Sequence, residues 1–278
     1  MDPYLIAKDT YVLPHTFEVP GTGLINVNSM IIAGPEPVIV DTGSPLVTEE
    51  WQRQAWSIVD PESVRWIFLS HDDGDHLGSL DAVIAACPNA RIVTGWFATG
   101  RLQVDHGREL PVPRCVWIND GDSFEAGDRT LIAIRPPVFD APTTRGLFDT
   151  STGVYWGSDA FGMFVPSPVD DASALPETER WDSFYKVGSL ISPWLQWVDP
   201  ARYSAHVDRI ERLGVEAIAA CHGPGFRGTL ASEALRRVRE LPRQPAFQEP
   251  DQRALEAMLA QMFQAGASEP EVPVELAS

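Results

Sequence analysis

Positive charge is scarce in this chain. Lysine and arginine together number 21 in 278 residues, against 39 aspartates and glutamates, for a formal charge of −18. A surface of that sign repels phosphate backbones and anionic headgroups, so neither nucleic acid nor an anionic membrane is an expected partner. Cysteine is scarcer still. Cys87, Cys115 and Cys221 are widely spaced and form no Cys-x-x-Cys pair, which excludes a disulfide framework and a zinc ribbon. Reduced thiols are the expectation. No apolar run approaches the ~20 residues that a bilayer span needs. The first residues, Met1-Asp2-Pro3-Tyr4, lack the basic and apolar stretches of a signal peptide. There is no Gly-rich phosphate loop and no internal repeat. The expectation is a soluble, cytoplasmic protein.

Apolar side chains, by contrast, make up 44% of the chain, enough to core one large domain or two small ones. Short runs rich in β-branched residues recur at 11–13, 25–33, 37–40, 64–69, 91–94, 130–134, 154–156 and 215–219. Most are too short for helices and end at Gly, Pro or Asp, which predicts strands. Helical patterns lie between them. Residues 47–59 follow a Gly-Ser-Pro turn and open with Glu49 and Glu50; 77–86 stop before Pro88; 203–213 close at Gly214. Residues 166–180, broken by Pro166, Pro168 and Pro176, read as an exposed loop leading into a helix at 181–195. A further helix is expected at 231–241. The alternation defines an α/β chain. Residues 1–242 read as one domain, 243–267 as a linker and C-terminal helix, and 268–278 as a disordered tail. On that helix Leu255, Met258, Leu259, Met262 and Phe263 share one face, which suits docking on the body or on a second subunit.

The densest chemistry lies at Ser70-His71-Asp72-Asp73-Gly74-Asp75-His76-Leu77-Gly78, directly after the apolar run 64–69. Five side chains able to hold a metal fall within six residues. Carboxylates crowded onto one loop repel one another, and divalent cations would neutralise them. A solvated acidic turn would not explain two histidines after a buried strand. From an extended loop, residues 71 and 73 point the same way, while 75 and 76 turn toward a second ion. Two later strand ends carry matching residues: Gly157-Ser158-Asp159-Ala160-Phe161-Gly162 and Cys221-His222-Gly223-Pro224-Gly225. An earlier one, Val38-Ile39-Val40-Asp41-Thr42-Gly43, ends in an aspartate. Cys221 reads as a small buried residue at a strand end, or as one near the metal.

The order His-x-Asp-x-Asp-His resembles the metal loop of the metallo-β-lactamase superfamily, usually His-x-His-x-Asp-His, with Asp73 standing for the second histidine. The Ser158-Asp159-Ala160-Phe161-Gly162 element is similar to that of flavodiiron proteins, and His222-Gly223 resembles the superfamily's terminal His-Gly loop. In the family's order these elements cover about residues 10–228. The likeness within the superfamily is to the flavodiiron and oxygen-binding diiron branch.

That resemblance implies an αβ/βα four-layer sandwich, two facing sheets with helices outside. It implies a dinuclear site at the sheet edges held by His71, Asp73, Asp75, His76, Asp159 and His222. Asp159 would bridge, Asp75 and Asp159 would be catalytic, and Asp41 would be structural. The branch carries Glu where this chain has Asp73, one methylene shorter. It also places a histidine ligand between the first loop and the bridging Asp, whereas this chain has no histidine between His106 and His206. Phe139 or Asp140, in Arg135-Pro136-Pro137-Val138-Phe139-Asp140-Ala141-Pro142, takes that place. If Asp140 ligates, site one is His71, Asp73, Asp140 and Asp159, an oxygen-rich set suited to iron or manganese better than zinc. If Asp140 only caps its loop, site one is poorly furnished.

Two metal ions are therefore expected, iron favoured and zinc or manganese as alternatives, with no flavin in this chain. The first functional reading is binding or reduction of a diatomic gas, O2 or NO, using an external electron-transfer protein. A second is hydrolysis of a small-molecule ester, lactone or thioester by a metal-bound hydroxide that Asp75 orients. A third is a mononuclear, non-catalytic sensor. Because that branch pairs head to tail, a homodimer is compatible with the resemblance. Of the other polar residues, His15 reads as a surface histidine or a site neighbour. His106 is placed in a loop and His206 in a helix. Arg145 either holds an anion near the pocket or pairs with a surface carboxylate.

Overall fold

The computed structural model describes residues 1–266, with side chains as far as residue 260; the tail expected at 268–278 lies outside the described residues. The elements run β1 (Tyr4–Ala7), β2 (Thr10–Leu13), β3 (Thr16–Val19), β4 (Gly23–Asn26), β5 (Ser29–Ile32), β6 (Val38–Val40), α1 (Thr48–Ile58), β7 (Trp66–Phe68), α2 (Leu80–Ala86), β8 (Arg91–Thr94), α3 (Trp96–His106) and β9 (Cys115–Trp117). A second series follows: β10 (Ser123–Ala126), β11 (Arg129–Ile134), β12 (Gly146–Asp149), β13 (Val154–Trp156), α4 (Glu177–Ile191), α5 (Pro200–Glu211), β14 (Ala217–Ala219), β15 (Phe226–Arg227) and α6 (Thr229–Val238). Last comes α7 (Gln252–Gly266).

Seven strands form one sheet in the order β1-β2-β5-β6-β7-β8-β9, and six form another, β10-β11-β12-β13-β14-β15; β3 and β4 make a separate hairpin. Period-two alternation sorts their side chains. Met30, Ile32, Val38, Val40, Phe68 and Val93 of the first sheet meet Leu131, Ala133, Leu147, Val154, Trp156 and Ala219 of the second. The intervening Ile31, Ile39, Ile67 and Ile92 face outward onto Trp51 and Ala55 of α1 and Leu80 and Val83 of α2. On the other side Phe148, Tyr155 and Ile218 pack against Trp181, Phe184, Tyr203, Val207 and Leu235 from α4, α5 and α6. This is the αβ/βα four-layer sandwich.

Strand direction decides where the loops gather. β6, β7 and β8 are parallel in register, Val40 beside Phe68 and Phe68 beside Val93. In the second sheet β13 and β14 are parallel, Trp156 beside Ala219. β11 runs with them, because it is antiparallel to β12, which is antiparallel to β13. The loops after β6, β7, β11, β13 and β14 therefore all leave C-terminal strand ends, where open α/β sheets place their ligands.

Several elements differ from the sequence reading. The run 25–33 breaks at Val27 and Asn28, with β4 in the hairpin and β5 in the large sheet. Residues 166–180 are not simply exposed: Ala172 and Leu175 are buried and Asp171 caps a short 3-10 turn. α4 starts at Glu177, where Glu177 and Glu179 suit the helix N-terminus, and gives way to a 3-10 turn at Pro193–Trp197. The region around His106 is helix α3, not loop. Only Ala98 and Leu102 are buried in α3 while Trp96, Phe97 and Val104 are exposed, so its apolar periodicity is broken. Met1–Pro245 forms one compact unit and, among the described residues, 246–266 belong to a second. In the second, Leu255, Met258 and Leu259 of α7 are exposed. No helix among the described residues is long and apolar enough to cross a membrane.

The metal loop is locked to the β6–α1 turn by backbone bonds: Thr42 N–H to His76 O at 2.7 Å, Gly78 N–H to Gly43 O at 2.7 Å and Ser79 N–H to Thr42 O at 3.2 Å. A Cβ on Gly78 would lie 2.1 Å from Pro45 N and 2.2 Å from the Ser44 carbonyl carbon. Gly78→Ala is expected to destabilise the protein by about 3 kcal/mol or more, because backbone cannot yield as a flexible side chain would. Gly74→Ala in the same loop, with nothing within 4 Å, is expected to stay within about 0.5 kcal/mol of wild type. Urea unfolding of the two variants checks the contrast; equal effects would contradict it.

Candidate metal centre

The site begins with Asp41. Its backbone is left-handed, φ 58°, one residue past β6, and its carboxylate is fully buried. Oδ1 accepts from Ser70 N–H at 2.7 Å. Oδ2 accepts from Ser70 Oγ at 2.7 Å, His76 Nδ1 at 2.8 Å and Trp156 Nε1 at 3.1 Å. A carboxylate only accepts, so His76 carries its proton on Nδ1 and turns Nε2 toward the cleft.

The same logic sets His71. Ser70 spends its hydroxyl proton on Asp41, and Ser158 Oγ donates to Ser70 Oγ at 2.9 Å. Both oxygens can then only accept from His71 Nδ1, at 3.1 and 3.2 Å. His222 Nδ1 donates to the Asn26 carbonyl at 3.0 Å. The His222 loop is itself pinned by Asn28, whose amide donates to Ala220 O and Gly223 O, each at 2.8 Å. All three imidazoles thus present Nε2 to one point.

That point is Asp159. Its Oδ1 lies 2.9 Å from His76 Nε2 and 3.4 Å from His222 Nε2; its Oδ2 lies 3.3 Å from His71 Nε2. The residue is 3% exposed, and Oδ2 has no hydrogen-bond partner. Burial opposes its ionisation, but the His71 and His76 rings and hydrogen bonds from His222 and His76 hold its carboxyl well below the usual range. Burial likewise opposes the charged imidazoles. The charges of Cys221, Asp41 and Asp159 nevertheless hold His76 well above its ordinary range, and Asp159 with Asp73 raises His71.

Three groups of ligand atoms, each within 4.8 Å of one another, surround this carboxylate: His71 with His76 and Asp159; His71 with Asp73 and Asp140; and Asp75 with His76, Cys221 and His222. Asp73 Oδ2 is 3.7 Å from His71 Nε2, and Asp75 Oδ2 is 3.4 Å from His222 Nε2. The structure therefore brings together every residue expected at the site. Asp140, at the exposed rim, has its carboxyl pushed up by desolvation and by the charges of Asp159 and Asp73. Imidazole nitrogens, carboxylate oxygens and a buried oxygen without a donor fit divalent cations.

Other residues fall elsewhere. Asp72 turns away and accepts from Thr143 Oγ1 and Arg101 Nε. Arg145 donates to the Thr144 carbonyl at 2.8 Å and is held by loop carbonyls, not by a surface carboxylate. His15 is buried, not on the surface, and neither ring nitrogen has a partner. His206 lies in α5 and bonds the Arg135 carbonyl at 2.9 Å. Sequence reasoning missed Asn26 and Asn28. Their signal was two asparagines inside an apolar run, since buried amides need partners.

An αβ/βα sandwich whose parallel strand ends gather histidines and carboxylates at one edge defines the metallo-β-lactamase superfamily. Residues 25–223 match the model of the "ODP family beta lactamase" group, and the chain belongs to that family, in the flavodiiron branch of the superfamily. It is similar to the anaerobic nitric oxide reductase flavorubredoxin of Enterobacter sp. (strain 638), 24% identical over 72% of this chain and 41% of that protein. It is also similar to a nitric oxide reductase of Moorella thermoacetica, 22% identical over 70% of this chain and 48% of that protein. In fold it matches the rubredoxin oxygen:oxidoreductase of Desulfovibrio gigas with a TM-score of 0.74 at 19% identity, covering 87% of this chain and 62% of that one. The chain thus spans less than two thirds of each of these relatives.

Asp41→Asn would set an amide N–H2 against groups that already donate. Loss of such an orienting partner costs about 10–100-fold in metal affinity. The variant is expected to lose metal to a competing chelator at correspondingly lower chelator concentration; unchanged retention would show that Asp41 does not orient the imidazoles.

Proposed function

We propose that this chain holds two iron ions and binds and reduces a diatomic gas, O2 or NO, with electrons from an external electron-transfer protein. The observation that carries it is the division of Asp159: Oδ1 faces His76 and His222, Oδ2 faces His71. A carboxylate so placed would hold two ions, one through each oxygen. On this reading His71, Asp73 and Asp140 furnish one ion, and Asp75, His76 and His222 the other. The iron pair, when bound, supplies electrons by cycling between ferrous and ferric states.

What the protein contributes is orientation and exclusion. Hydrogen bonds at Nδ1 fix the imidazoles before any ion arrives, so little rearrangement accompanies binding. His71 and His76 are 1% and 0% exposed, and the site meets solvent at Asp73, Asp75, Asp140 and, in part, His222. A centre walled in this way suits a reactant of two atoms. The oxygen-rich set around His71 favours iron or manganese over zinc. The names of the relatives, nitric oxide reductases and an oxygen oxidoreductase, support the same chemistry.

Anaerobically iron-loaded, chemically reduced protein is expected to consume O2 or NO, and no uptake of either gas would sink the proposal. Turnover of esters, lactones or thioesters by zinc- or manganese-loaded protein would instead establish the hydrolytic reading. Asp140→Ala is expected to lower bound iron from two ions per chain to one, read by elemental analysis, and to reduce gas uptake at least about tenfold. Two ions retained with full uptake would remove Asp140 from the ligand set.

A further inference from the structure

Cys221 is fully buried and belongs to the apolar cluster between the sheets, but it also meets polar groups. Its Sγ belongs to a group with the Asp75 carboxylate and the ring nitrogens of His76 and His222, all within 4.8 Å of one another. Every other member of that group offers a lone pair. The backbone on both sides is fixed: Cys221 N–H donates to Ser158 O at 2.8 Å, and Cys221 O accepts from Asn28 N–H at 2.9 Å. The thiol is therefore held in place by these backbone bonds as well as by its packing between the sheets. Ser158, whose carbonyl accepts the Cys221 N–H, precedes Asp159, whose Oδ1 lies 2.9 Å from His76 Nε2 and 3.4 Å from His222 Nε2. Cys87 and Cys115 join no such group among the described residues; Cys115 Sγ donates to the Pro111 carbonyl at 3.6 Å.

We propose that the Cys221 thiolate is a ligand to the ion held by Asp75, His76 and His222. The inference rests on the cluster being a metal centre, as proposed above, but not on its reacting with a gas. Ligation requires the thiol to lose its proton, which passes to solvent as the metal–sulfur bond forms; no electron is transferred. Beside the shared Asp159, two imidazoles, a thiolate and the Asp75 carboxylate suit a borderline-soft ion such as zinc or ferrous iron. The group around His71, with Asp73 and Asp140, has one nitrogen and two carboxylates and is harder. The two ions then sit in unlike fields, and the pair is chemically asymmetric.

Cobalt(II) added to the metal-free full chain tests this. The expected result is visible d–d absorption together with a near-ultraviolet sulfur-to-cobalt charge-transfer band. Cys221→Ser should keep the d–d absorption, lose the charge-transfer band and bind that ion at least about tenfold more weakly. The double variant Cys87→Ala/Cys115→Ala should keep the band. Cobalt d–d absorption without charge transfer in the wild-type chain would overturn the thiolate while leaving the metal centre standing. No d–d absorption at all would overturn both. A charge-transfer band in a protein that consumes no gas would leave Cys221 a ligand and sink only the reductase reading. Should Cys221→Ser not fold, X-ray absorption of zinc-loaded wild type decides. A sulfur shell at about 2.3 Å is expected, and a shell of nitrogen and oxygen alone at about 2.0–2.2 Å would overturn the proposal.

Discussion

One buried anion organises this centre. The Asp41 carboxylate takes four donors, from the Ser70 backbone and hydroxyl, the His76 ring and the Trp156 indole. A charge removed from water is tolerable only when its lone pairs are filled, and here they are filled by groups from the loop after β7 and from β13. The bond from Trp156 also ties the second sheet to the first at their C-terminal edge. The bond from His76 decides which nitrogen of that ring faces the cleft. Stability and site geometry therefore share a single residue, held in a left-handed backbone that an Asp adopts more readily than most side chains.

The three imidazoles differ in what backs them. His76 is backed by a carboxylate, His71 by two serine hydroxyls and His222 by a backbone carbonyl. A negatively charged acceptor makes its imidazole a stronger donor to a metal than a neutral one does. The carboxylates add to the inequality. Asp73 and Asp140 gather on the His71 side, while Asp75 stands with His222. The asymmetry comes from the whole shell, and Asp159, with one oxygen turned to each side, joins the unlike halves.

Distance along the chain matters as much as distance in space. Asn28 holds the His222 loop through bonds that span more than 190 residues. The loop after β14 has its shape only once β5 and the hairpin before it are in place. The centre is thus assembled from early and late segments, and no fragment of the sequence contains it.

The local chemistry was legible in the sequence by itself. Short β-branched runs between helical patterns marked the layers, and three strand ends carrying His and Asp marked the site. These features depend on neighbours a few residues apart, which is why periodicity and motif order reveal them. The α3 helix escaped because Trp96, Phe97 and Val104 point to solvent and spoil its apolar repeat. β12 escaped because it is four residues long and follows a polar turn. The tertiary structure alone decided three things. It placed Asp140 beside His71 and Asp73, because β11 runs parallel to β13 and delivers its loop to the same edge. It turned Asp72 out of the cluster toward Arg101 and Thr143. And it set Cys221 among Asp75, His76 and His222. Each depends on strand direction, register and backbone hydrogen bonds between segments far apart in the chain, which residue order does not encode locally.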